Sequence, residues 1–83
     1  MLGERTMLEY HLKYNHFPPH SDEMIDTAMA ALEIARSGDL DAEIELPDGI
    51  EHRRYGTRVP VTILLDSLHI DRSHYMDDEG MEF

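Results

Sequence analysis

Apolar positions recur with two different periods along this chain, and the periods divide it into helices and one extended arm. Over residues 22–36, Ile25, Ala28, Met29, Leu32 and Ala35 follow the i, i+3, i+4, i+7 spacing of a helix with one buried stripe. Ser21 precedes this helix as an N-cap, and Asp22 and Glu23 sit in the first turn, where carboxylates suit the helix dipole. Arg36 and then Gly38 supply a C-terminal stop. Leu8 and Leu12, bordered by Met7, His11 and Tyr14, predict an earlier helix over residues 4–15. Phe17-Pro18-Pro19 ends it, because each proline lacks an amide donor and restricts the residue before it. Phe17 is expected to plug that corner as part of the core.

From Asp39 to Leu46 the period changes to two. Asp39, Asp41, Glu43 and Glu45 fall on one face of a strand, and Leu40, Ala42, Ile44 and Leu46 on the other. Pro47-Asp48-Gly49 reads as a turn, with proline presetting φ and glycine taking the left-handed position. Residues 50–55 would then return as the second strand, with Glu43 opposite Arg53. Residues 60–70 carry two signals. The β-branched run Val61-Thr62-Ile63 favours strand. Pro60 suits a first helical position, and Val61, Leu64, Leu65 and Leu68 share one helical face, so the segment is read as helix. The expected fold is α+β: three helices packed with one small antiparallel β-hairpin, in the order α-α-β-β-α. The apolar underside of residues 40–46 would rest on the helix at 22–36. Residues 1–75 form one small globular domain, and residues 76–83 an acidic, flexible tail.

Size and composition narrow the picture. A chain of 83 residues buries only about 60% of its unfolded surface, which leaves one modest core. There is no cysteine, hence neither a disulfide nor a thiolate metal site. No apolar run approaches the roughly 20 residues that cross a bilayer, and the N-terminus lacks a signal-peptide pattern. The expected location is cytoplasmic. Eighteen acids against seven bases give a net charge of −11. A field of that sign repels nucleic acid and anionic membranes and attracts basic protein surfaces. It also serves solubility alone.

The alternating carboxylates are the sharpest candidate site. Alternate strand residues lie about 6.6 Å apart, a regular line of negative charge on the scale of a nucleic-acid backbone. Asp39, Asp41, Glu43 and Glu45, extended by Asp48 and Glu51, are the expected partner-binding residues, facing a protein with a basic surface. The competing reading is a solvated strand face whose charges discourage edge-to-edge pairing. Six histidines raise a metal alternative through His11, His16 and His20, near Asp22 and Glu23. The His-Glu-x-x-His spacing is absent, however, and Pro18-Pro19 divides the candidates. No nucleophile elbow, phosphate loop or cysteine nucleophile is present, so neither catalytic residues nor a cofactor are expected. A further alternative is a structural, self-associating protein held by apolar residues such as Phe17, Tyr55 or Leu68.

Several strings resemble a known group. Tyr10-His11-Leu12 and Asn15-His16-Phe17-Pro18-Pro19 precede an alanine-rich helix. Gly38-Asp39, Glu45-Leu46-Pro47-Asp48-Gly49, Val59-Pro60 and Leu68-His69-Ile70-Asp71 follow it. Together, over residues 7–71, these are similar to small uncharacterised proteins of bacteriophages that infect bacteria such as actinobacteria. The resemblance implies a phage or prophage origin and a binding protein directed at a host or defence protein. It carries no activity that transfers to particular residues.

Overall fold

Leu8 and Leu12 organise the first helical arm in the computed structural model, which describes residues 3–76. Helix α1 (Glu4–Glu9) runs directly into a π-helical turn at Tyr10–Tyr14. There the Asn15 amide donates to the Tyr10 carbonyl five residues back, at 2.9 Å. Helix α2 (Asp22–Arg36) follows the expected pattern, and the Ser21 hydroxyl accepts a hydrogen bond from the Met24 amide at 3.2 Å. The chain continues as β1 (Glu43–Glu45), α3 (Ile50–Tyr55), β2 (Arg58–Pro60), α4 (Val61–Ser67) and a 3₁₀ turn at Arg72–His74. The order helix, helix, strand, strand, helix is the expected one, with α3 inserted between the strands.

That insertion corrects the expected return strand at residues 50–55. Leu46 still donates to the Thr57 carbonyl at 2.8 Å, but Pro47–Gly49 then carry the chain out of the sheet. Arg53 donates to Gly49 and Gly56 to His52, so local helical bonds satisfy this segment's backbone. Gly56, in the left-handed region at φ 94°, turns the chain back into β2. The antiparallel register is Glu43 with Pro60, Ile44 with Val59 and Glu45 with Arg58. Glu43 therefore pairs with Arg58, at 3.7 Å, rather than with Arg53.

A two-stranded sheet is marginal alone, so this one depends on the helices beneath it. Leu32, Ile25, Leu64, Leu65, Val61 and Leu68 are fully buried where α2 meets α4. Ala28 and Ala31 are also fully buried, and their small side chains let α4 approach closely. Each buried leucine contributes about 1.5–3 kcal/mol relative to exposure. Leu40 and Ile44 pack on this core from β1 and the turn before it. Arg36 ties the end of α2 to two other segments. Its guanidinium donates to Glu4, and its Nε donates to the His74 carbonyl at 2.8 Å. The hydrogen bond from Arg36 holds the Glu4 carboxyl below the usual carboxylate range.

Phe17 is not the corner plug. It stands 92% exposed, while His20 is the buried side chain of the loop at 7%. The His20 amide donates to the Leu12 carbonyl at 3.0 Å, and this bond turns the imidazole inward and leaves Phe17 outside. Among the described residues no helix is long and apolar enough to cross a membrane. Residues 77–83, which make up most of the expected acidic tail, lie outside the described residues.

Candidate functional site

The acidic face begins where α2 stops. Gly38 adopts φ 94°, Asp39 donates to the Ile34 carbonyl at 3.4 Å, and Ala42 donates to Asp39 at 3.3 Å. Asp39 and Asp41 thus sit on a turn, and only Glu43 and Glu45 lie in regular strand. The period-two burial persists along the whole stretch. Asp39, Asp41, Glu43 and Glu45 are exposed, Leu40, Ala42 and Ile44 are half-buried, and Leu46 is buried. The backbone beneath them is fixed to the β2 and α4 side. Val61 donates to the Ala42 carbonyl at 2.8 Å, and the Thr62 hydroxyl donates to Leu40 at 3.3 Å.

Asp48 extends the exposed row beyond β1. It borders an open hollow of about 250 Å³ whose other walls include Pro18, Pro19, Ile50 and Arg53. Glu43 shares its charge with Arg58, whereas Asp39, Asp41, Glu45 and Asp48 form no ion pair among the described residues. Elsewhere Arg5 pairs with Glu9 and Asp26, Lys13 with Asp22, and Arg36 with Glu4. Negative charge is thereby left uncompensated on this face.

Glu51 does not belong to the row. It is 4% exposed and accepts a hydrogen bond from the Ser67 hydroxyl at 2.7 Å, linking α3 to α4. Its charge acts on His20. Burial lowers the His20 pKa from the ordinary histidine value, the neighbouring His16 adds to that shift, and Glu51 opposes it. The His16 and His20 rings lie 4.4 Å apart.

The His11 and His16 rings both bind backbone carbonyls. His11 Nε2 lies 3.0 Å from the Leu68 carbonyl and 3.1 Å from that of His69, and donates its proton at the end of α4. His16 Nδ1 donates to the Pro18 carbonyl at 2.8 Å. Among the described residues no group of three or more His, Asp or Glu side chains is placed to hold a metal ion. The sequence reading overlooked Arg58 as the cross-strand partner and Ser67 as the partner of Glu51. Their separations from Glu43 and Glu51 follow no local period, so neither pair was visible in the sequence. No family model matches this chain, and neither does any curated protein or solved structure.

Proposed function

We propose that this chain is a small non-enzymatic binding protein whose acidic face engages the basic surface of another protein. Asp39, Asp41, Glu43, Glu45 and Asp48 would make the contact; Glu51, used inside the molecule, would not. The observation that carries this reading is the line of exposed carboxylates on a backbone fixed to the rest of the fold, four of them without an ion pair among the described residues. A fixed backbone presents these charges in a set order, and their field steers a positively charged partner toward them.

The concrete form is a phage-type modulator or inhibitor acting in the host cytoplasm on a nucleic-acid-handling host or defence protein. The run of exposed carboxylates from Asp39 to Glu45 supports this form, because a groove built for a phosphate backbone presents cations to negative charge. Reversing Asp41, Glu43 and Glu45 to lysine changes the local charge by six units without touching the buried core. The triple variant should keep the wild-type circular dichroism spectrum and lose the partner. Nucleic acid should compete with the wild-type protein for that partner. Binding that survives the triple reversal removes the acidic face from the interface.

A further inference from the structure

His20 is buried to 7% exposure, yet its ring nitrogens form no hydrogen bond among the described residues. The His16 ring lies 4.4 Å away but turns its Nδ1 to the Pro18 carbonyl instead. Among the described residues no fully enclosed side-chain nitrogen or oxygen lacks a partner, so the His20 nitrogens reach open space. The space that His20 borders is the hollow of about 250 Å³ beside Asp48. Its floor is His20 with Met24, both buried, and its mouth carries the exposed Asp48 and Arg53. Pro18, Pro19 and Ile50 supply apolar walls. Hydrogen bonds fix the segments that form it. The His20 amide donates to Leu12 at 3.0 Å, the Met24 amide to the Ser21 hydroxyl at 3.2 Å, and the Arg53 amide to Gly49 at 3.0 Å.

The charges at the mouth select the occupant. Asp48 and Arg53 border one hollow, yet neither forms an ion pair with the other or with any described residue. A simple anion is repelled by a chain at −11, and a simple cation by Arg53. A molecule with one charge of each sign meets neither objection. A guanidinium takes a carboxylate through paired N–H donors, and the Asp48 carboxylate takes an ammonium. Both charges of the ligand then lie at the mouth, and the rest of it runs past the apolar walls to His20. An imidazole nitrogen without a partner favours a ligand tip that hydrogen-bonds, and burial beside Met24 disfavours a charged one. We propose that this hollow binds a small α-amino acid whose side chain ends in a neutral hydrogen-bonding group, with Arg53 on its carboxylate, Asp48 on its ammonium and His20 on its side-chain tip. The hollow exceeds a cavity of about 150 Å³ that holds benzene and falls below the roughly 300–1,000 Å³ of drug-sized sites, so about ten non-hydrogen atoms fit. The site shares only Asp48 with the acidic row and stands whether or not that row binds a protein.

Titration of the isotope-labelled full chain with L-glutamine, followed by NMR, tests the proposal. The expected result is saturable shifts at the His20 ring and at the Ile50 and Arg53 amides, with dissociation in the millimolar range or below. L-Leucine lacks the hydrogen-bonding tip and glutaramate lacks the ammonium, so each should bind at least tenfold more weakly. Arg53→Gln and Asp48→Asn change exposed side chains. Both variants should keep the wild-type melting temperature, and each should weaken glutamine binding at least tenfold. Arg53 lies outside the acidic row, so its substitution reports on the hollow alone. No saturable shift up to about 50 mM glutamine overturns the proposal. So do shifts that cluster away from the hollow, leucine binding as tightly as glutamine, or binding unchanged in both variants.

Discussion

Leu64 and Ile63 are neighbours on a segment whose sequence supports both helix and strand, and truncating each separately decides between them. In α4, Leu64 is fully buried between Leu65, Val61 and the α2 stripe, while Ile63 is 43% exposed. In a strand the phase would reverse, with Val61, Ile63 and Leu65 inside and Leu64 outside. Leu64→Ala removes a fully buried branched side chain and leaves a cavity, which costs about 2–5 kcal/mol. A domain of this size has a total stability of roughly 4–12 kcal/mol, so the substitution removes a large share of it. At about 4–8 °C per kcal/mol, the melting temperature falls by roughly 8–40 °C. Ile63→Ala should cost under about 1 kcal/mol, because much of its side chain is already in water. Urea unfolding followed by circular dichroism at 222 nm reads both values from the shift in midpoint at unchanged slope. Equal costs, or a larger cost at Ile63, would refute the helical phase of α4.

Three further outcomes follow from the same packing and charge arguments. Ser67→Ala leaves the buried Glu51 carboxylate without its 2.7 Å donor and should cost about 1–3 kcal/mol in the same urea assay; a loss under about 0.5 kcal/mol would show that this bond carries no stability. The folded-state pKa of His20 lies below 6.5, mainly through burial, with His16 and His11 adding to the shift and Glu51 opposing it; stability should therefore fall as pH drops below about 6.5, where the unfolded chain takes up a proton that the folded one resists. His20→Gln should flatten that part of the profile while leaving a second decline below about pH 4.5, where the stabilising Glu4–Arg36 contact is lost by protonation; an unchanged profile would exclude His20 as the cause. Gly38→Ala meets no neighbouring atom but forces a side chain to adopt φ 94°, so it should lower stability by about 1 kcal/mol without altering the spectrum of the folded state.

What the sequence discloses here is largely local physics. The α2 helix, its Ser21 cap and its glycine stop all rest on residues within a few positions of one another, and all appear in the structure. The acid-out, apolar-in alternation from Asp39 to Leu46 is equally local, and its burial pattern is present although regular strand covers only Glu43–Glu45. The misreadings involve contacts between distant segments. Pro47-Asp48-Gly49 has the composition of a hairpin turn, yet the partner of β1 lies beyond α3, where Leu46 meets Thr57 and Glu45 meets Arg58. Nothing within residues 50–55 distinguishes a short helix from a returning strand until that pairing is known. Phe17 was misplaced for a related reason. Hydrophobicity favours burying it, but the bond from His20 to Leu12 sets which side chain of the loop faces inward. Glu51 reads as one more surface acid until α4 brings Ser67 against it.

The proposed protein-binding face consists of the exposed carboxylates within β1 and on either side of it. The most direct measurement uses the wild-type chain and the Asp41→Lys, Glu43→Lys, Glu45→Lys variant as parallel baits in a bacterial host lysate. Both are washed at low and high salt, and the bound proteins are identified by mass spectrometry. The expected result is a partner with a basic nucleic-acid-binding surface that the wild type retains at low salt and releases at high salt, and that the variant fails to capture. A partner held equally by both baits, or no partner other than the chain itself, would contradict it and leave the carboxylate row as a solvated surface.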